Sequence, residues 1–396
     1  IQRPARVRNR KWTLFFVLGM ALMADGVEVF VVGFVLPSAE TDMCIPDSGS
    51  GWLGSIVYLG MMVGAFFWGG LADKVGRKQS LLICMSVNGF FAFLSSFVQG
   101  YGLFLVCRLL SGFGIGGALP TAFSYFSEVL AREKRGEHLS WLCMFWMIGG
   151  IYASAMAWAI IPHYGNWRVF VIVCALPCVS AVVALTFMPE SPRFLLERAR
   201  SRWAAGNILP ITIFFYIVCL FLILYSLSLW CFSLLPNIFF IKASNLFSSF
   251  SSIVNFLGTL AVLPGNIVSA LLMDKIGRLT MLGGSMVLSG ISCFLLWFGT
   301  SESMMVGMLC VYNGLTISAW NSLDVVTVEL YPTDKRATGF GFLNALCKGA
   351  AVLGNLIFGS LVGITKAIPI LLASAVLVGG GLVGLRLPDT RNQVLM

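Results

Sequence analysis

Twelve apolar runs of about 20 residues or more follow one another along this 396-residue chain, at 12–36, 52–72, 79–99, 101–127, 139–162, 167–188, 207–232, 252–273, 279–299, 303–328, 338–363 and 367–387. A helix rises about 1.5 Å per residue, so each run can cross the ~30 Å hydrocarbon core of a bilayer. In lipid the backbone must satisfy its own polar groups, and the alternation of a β-barrel is absent, so the runs are expected to be helices. Only 11% of the residues are charged, against roughly 25% in soluble domains. The chain reads as an all-α membrane protein in which domains are helix bundles.

The basic residues set the orientation. With the N-terminus inside, the inner tail and inner turns hold 21 of the 26 Lys and Arg, and the outer turns hold Arg168, Lys242 and Lys366. Arg108 and Lys348 lie within runs. This is the positive-inside pattern, and it places both termini in the cytoplasm. It also accounts for the net charge of +9 without a nucleic-acid partner. The expected segments are a basic cytoplasmic N-terminus at 1–11, a six-helix bundle at 12–188, a short cytoplasmic linker at 189–206, a second bundle at 207–387 and a cytoplasmic C-terminus at 388–396. The first run is too long for the apolar core of a cleavable signal. Most of the eleven Cys lie in apolar runs, with no CxxC or His/Cys cluster. Neither a disulfide framework nor a metal site is expected, and no cofactor is implied.

The two bundles are copies. Gly69-Gly-Leu-Ala-Asp-Lys-Val-Gly-Arg-Lys78 has a weaker counterpart at Ala270-Leu-Leu-Met-Asp-Lys-Ile-Gly-Arg-Leu279. Asp73 and Asp274 are 201 positions apart, and at the same offset Gly76 matches Gly277, Glu128 matches Glu329, and Lys134 and Arg135 match Lys335 and Arg336. Separate blocks in one register mean a duplicated half. Two six-helix halves are the architecture of a secondary transporter that rocks about a site near the bilayer midplane.

The intramembrane charges are the candidate working parts. Asp25 and Glu28 stand three apart in the first run and share a helix face. Each costs roughly 2.5–3.5 kcal/mol at the bilayer centre, so together they read as a proton- or cation-coupling pair. Arg108 belongs either to the coupling path or to an interfacial anchor. Trp320 and Asp324 are four apart with Asn321 beside them, and Lys348 follows Asn344 by four. Neighbouring helices would let Asp324 and Lys348 form an ion pair. The glycines at 112, 114, 116 and 117 read as close helix packing, and no nucleophile–base–orienter set points to an enzyme.

Several stretches resemble known families. Gly69–Lys78 and Arg108-x-x-x-Gly112-x-Gly114-x-Gly116 resemble signatures of the major facilitator superfamily, and Pro189-Glu-Ser-Pro-Arg193 and Leu387-Pro-Asp-Thr-Arg391 resemble sugar-porter signatures. Ala24–Pro37, Lys134–Trp141 and Phe256–Asn266 resemble the synaptic vesicle glycoprotein 2 family. The resemblance covers 11–197 and 253–396, and the family's long cytoplasmic loop, luminal domain and N-terminal tail have no counterpart here.

This resemblance implies a transporter-like protein of synaptic or secretory vesicle membranes that modulates regulated exocytosis. It also implies a central pocket for racetam-type drugs, lined by Trp146, Trp320, Asn321, Asp324 and Lys348 with Phe123, Cys143 and Asn344, and with Tyr225 as the alignable residue of the seventh run. Two indoles would clamp a small amide while polar groups orient it. The superfamily likeness further implies a cytoplasmic gate of Asp73, Arg77 and Glu128, mirrored by Asp274, Arg278 and Glu329. Synaptotagmin and neurotoxin binding do not carry over, because the family regions for them are missing. The other reading is an active proton-coupled carrier of a small polar solute such as a sugar.

Overall fold

The computed structural model describes residues 4–43, 50–130, 134–164, 166–200, 258, 260–295, 298, 302–361 and 367–385. Among the described residues there is no strand, and thirteen helices follow in order: α1 (Pro4–Asp42), α2 (Ser50–Val75), α3 (Arg77–Ser95), α4 (Tyr101–Ile115), α5 (Ala118–Val129), α6 (Arg135–Tyr164), α7 (Trp167–Thr186), α8 (Pro192–Arg200), α9 (Val262–Ile276), α10 (Arg278–Leu295), α11 (Glu302–Leu330), α12 (Arg336–Leu361) and α13 (Ala367–Gly384). Eleven of the twelve expected runs contain described helix, and the seventh, 207–232, lies outside the described residues.

Three boundaries differ from expectation. Helix α1 begins at Pro4 and extends the first run through the basic residues before it. The fourth run is broken at Gly116–Gly117 into α4 and α5. Pro120 has no N–H to offer the Gly116 carbonyl, which opens the helix there. The linker between the halves carries a short helix, α8.

Six described stretches are long and apolar enough by themselves to cross a bilayer: Lys11–Val35, Gly54–Val75, Tyr101–Val129, Arg135–Ile161, Trp167–Thr186 and Arg278–Leu295. Among the helices outside that set, α3 and α11 carry polar side chains turned inward. In α3 these are Ser80, Asn88 and Ser95, and in α11 Thr316, Ser318, Asn321, Ser322, Asp324 and Thr327, all buried. A polar stripe facing the bundle lowers a helix's mean hydropathy without placing a polar group in lipid.

The core has two main parts. One gathers α1 to α7 around Leu18, Ala21, Met61, Cys84, Phe123 and Phe170. The other gathers α10 to α13 around Leu282, Tyr312, Leu323, Leu343 and Leu377. Glycines set the helix spacing inside the first. A Cβ on Gly64 would lie 2.1 Å from the Phe113 carbonyl oxygen, and one on Gly112 would lie 2.3 Å from that of Val57. Helices α2 and α4 therefore touch backbone to backbone, as the glycine run predicts. Across the halves α2 packs along α12, and α6 packs against α9.

On the outer rim, Asp42 at the end of α1 meets the start of α7. Its Oδ2 accepts from Arg168 Nη2 at 3.0 Å and from Trp167 Nε1 at 3.2 Å. Arg168 also donates to the Val98 carbonyl at 2.5 Å, so the α3–α4 turn is drawn into the same clamp. The Arg168 and Trp167 donors hold the Asp42 carboxyl below the usual carboxylate range.

Candidate functional site

Two groups of buried polar residues join the halves. The first lies where α2 turns into α3. Gly76 has φ 124° and its counterpart Gly277 has φ 112°, a conformation that favours glycine and lets each chain reverse within one residue. Each turn delivers an Asp and an Arg one helical turn apart. Buried Arg77 lies 2.8 Å from Asp73 and 3.0 Å from Glu128. It also donates to the Thr333 carbonyl of the other half at 2.5 Å. Asp73 accepts the Thr338 backbone N–H at 2.7 Å and its hydroxyl at 2.6 Å, so a carboxylate of one half caps the N-terminus of α12 in the other.

The second turn repeats this arrangement. Arg278 lies 3.3 Å from Asp274 and 2.8 Å from Glu329. Asp274 accepts the Glu137 backbone N–H at 3.1 Å, at the N-terminus of α6. Each half thus caps a helix of the other. The stretch Pro189–Arg193 is wired to the first turn. Ser191 Oγ donates to Glu128, Glu190 accepts the Lys78 N–H at 3.0 Å, and the Phe194 ring lies 5.2 Å from the Arg77 guanidinium.

The second group is central. Trp146 of α6 and Trp320 of α11 pack into one apolar cluster with Met147, Val262, Leu263 and Ile317. Trp146 also rests on Phe30, with ring centroids 5.6 Å apart. Phe123 is fully buried against Phe340 of the other half at 5.7 Å. The Lys348 ammonium sits 5.7 Å from the centre of the Tyr58 ring. Its charge acts on the carboxyls of both Asp25 and Asp324, and Asp324 acts in turn on Cys143. Asn321 donates to Asn266, which donates to the Ser140 carbonyl at 3.3 Å, tying α11, α9 and α6 together. Asn344 is buried on α12, one turn before Lys348. Tyr225 lies outside the described residues.

Asp25 and Glu28 take different partners. Glu28 faces α4, where its Oε1 lies 2.8 Å from Arg108 Nη1 and 2.7 Å from Ser111 Oγ. Ser111 is in turn 2.7 Å from Asn88 Oδ1. Residues three apart on a helix are about 60° apart around its axis, enough to aim them at different neighbours. Arg108 is accordingly a fully buried partner of Glu28 and not an interfacial anchor. Asp324 and Lys348, for their part, form no closed ion pair, and the Lys348 ammonium is held over the Tyr58 ring. Tyr58 and Asn266 joined the cluster unannounced. Asn266 closes the Phe256–Asn266 stretch, but nothing in that stretch says that its amide meets Asn321.

Comparison with known proteins follows this geometry. The chain is 56% identical to synaptic vesicle glycoprotein 2C of Mus musculus, over 98% of this chain and 79% of that one. The chain belongs to the synaptic vesicle glycoprotein 2 family. A second relative, synaptic vesicle glycoprotein 2A of Homo sapiens, is 45% identical over 97% of this chain and 78% of its own length. The alignment with the 2C relative is 579 residues long against 396 here, so that family member carries inserted residues this chain lacks.

The family model of the Major Facilitator Superfamily matches residues 14–355. Solved structures share its fold. The proton:xylose symporter XylE superposes with a TM-score of 0.82 at 16% identity, covering 98% of both chains. The human organic anion transporter MFSD10 superposes with a TM-score of 0.72 at 15% identity, over 97% of this chain and 99% of that one. The protein is therefore a multi-pass membrane protein with a transporter fold.

Proposed function

We propose that this protein is a transporter-like component of synaptic or secretory vesicle membranes, that it modulates regulated exocytosis, and that it binds racetam-type small molecules in a central pocket between its halves. It is not an enzyme in this reading, and both termini face the cytoplasm. One observation carries the pocket. Trp146 and Trp320 come from opposite halves and share one apolar cluster, with the Asp324 carboxyl and the Lys348 ammonium coupled beside it. Aromatic walls with a few convergent polar groups are what a drug-sized ligand requires. Phe123, Cys143, Asn321 and Asn344 complete the described wall, and Tyr225 belongs to the same proposal.

The test is saturable binding of a labelled racetam to the purified chain, beside Asp324→Ala. Binding that is lost in the variant supports the pocket. A folded wild-type sample that does not bind rejects it.

A second reading is an active proton-coupled carrier of a small polar solute such as a sugar. It is favoured by Asp25, whose buried Oδ1 has no hydrogen-bond partner and is free to take a proton. Uptake into proteoliposomes driven by a pH gradient would support it, and Asp25→Asn should abolish that uptake.

A further inference from the structure

The charges inside the membrane can be counted to completion. More than one helical turn from their ends, the twelve apolar runs hold five Asp, Glu, Lys, Arg or His residues: Asp25, Glu28, Arg108, Asp324 and Lys348. The stretches 203–241 and 243–273 contain none, so the undescribed part of the chain does not alter the count within the runs. Three acids therefore face two bases. Glu28 and Arg108 neutralise each other at 2.8 Å, both buried. That leaves Asp25, Asp324 and one Lys348, an excess of one negative charge.

The groups facing this excess come from five helices: Glu28 beside Asp25 on α1, Tyr58 on α2, Cys84 on α3, Cys143 on α6 and Lys348 on α12. None adds a second cation. Asp25 is 4% exposed and Asp324 7%, and Asp25 Oδ1 has no hydrogen-bond partner. A buried carboxylate without a counter-charge is costly, and it is relieved by a proton or by a bound cation. The surroundings favour a particular cation. Tyr58 already holds one ammonium over its ring, Trp146 packs its backbone on Gly26 next to Asp25, and Trp320, one turn before Asp324 on α11, shares a cluster with Trp146. Carboxylates with aromatic faces recognise an organic ammonium by ion pairing and by cation–π attraction.

We propose that the central cluster binds a small organic monocation, a protonated amine on an apolar body, through Asp25 and Asp324, and that this cation and a proton exclude one another. The proposal rests on the reading of the cluster as a ligand pocket. The body of the amine takes the place between the two tryptophans. Its ammonium supplies the positive charge that Lys348 alone does not.

The test uses the purified chain in nanodiscs and three probes: phenethylamine, which is cationic at neutral pH, its neutral counterpart phenylacetamide, and a labelled racetam as a control for the pocket. The amine should bind about tenfold or more tighter than the amide. Its affinity should fall on acidification towards about tenfold per pH unit, as one proton takes its place. Asp25→Asn should weaken the amine about tenfold or more, and Lys348→Gln should tighten it by removing the competing charge. A merely structural role for Lys348 would not produce tightening. If the racetam binds but amine and amide bind alike at every pH, the cation proposal fails and the pocket stands. If a folded sample binds none of the three, both fail.

Discussion

Asp73 accepts the backbone N–H of Thr338 at 2.7 Å, and so a carboxylate of the first half closes the first turn of a helix in the second. Asp274 does the same for Glu137 in the opposite direction. Losing an N-cap costs about 1 kcal/mol, roughly a fivefold change in a two-state balance. Asp73→Ala and Asp274→Ala should each raise the share of molecules open at the end of the bundle that carries the α2–α3 turn by about that factor. Spin labels at the exposed Lys74 and Lys335 would report it as a longer distance, and an unchanged distance distribution would contradict the latch.

The two latches should not contribute equally. The side chains of the Arg77–Glu128 pair are 1% and 0% exposed, whereas Asp274 beside Arg278 is 25% exposed. Removing Arg77 strips Asp73 of its partner and leaves Glu128 only the more distant Arg336, 3.8 Å away, so Arg77→Ala should destabilise by about 3 kcal/mol. Arg278→Ala should cost less, about 1–2 kcal/mol, since water can solvate Asp274 although Glu329, 10% exposed, also loses its partner. Thermal unfolding of both variants in one detergent checks the order, and equal losses would refute it.

Helix spacing makes a sharper pair. A Cβ on Gly64 meets the Phe113 carbonyl oxygen at 2.1 Å, whereas one on Gly70 meets nothing within 4 Å. Gly64→Ala must push α2 from α4 and should cost about 1–3 kcal/mol. Gly70→Ala in the same helix should be neutral or stabilise by up to about 1 kcal/mol. Comparable melting temperatures for the two variants would rule this account out.

Much of this was legible before the structure. Apolar run length predicts the helices, and the 201-residue offset predicts that Asp73, Arg77 and Glu128 recur as Asp274, Arg278 and Glu329, as both ion-pair sets do. Partners on other helices were harder to read. Nothing in the first run says that Glu28 turns to Arg108 and Ser111 while Asp25 Oδ1 stays buried without a hydrogen-bond partner, because which helix packs on which side is a tertiary fact. The capping of α12 by Asp73 was hidden for the same reason, since its acceptor and donor are 265 residues apart. Tyr58 carries no sequence signal that sets it apart from any other tyrosine in an apolar run.

The outer clamp gives a pH prediction. Arg168 and Trp167 hold the Asp42 carboxyl below the usual carboxylate range. A group with a lowered folded pKa stabilises fully above its unfolded value, about 3.9, and loses that contribution as pH falls through the folded value. The clamp should therefore survive mild acidification. The stability difference between the wild type and Asp42→Asn should stay constant from about pH 7 to 5 and shrink only below about pH 4. A difference that had already vanished at pH 5.5 would show that Arg168 does not hold this carboxylate.

The central claim is that the two halves build one pocket between them. A double-mutant cycle in racetam binding at Trp146 and Trp320 tests it most directly. If both indoles hold one ligand, each Trp→Ala change should weaken binding by about 2 kcal/mol, roughly thirtyfold, and the double variant should lose less than the sum. Full-affinity binding by either single variant would place the ligand elsewhere and contradict the account.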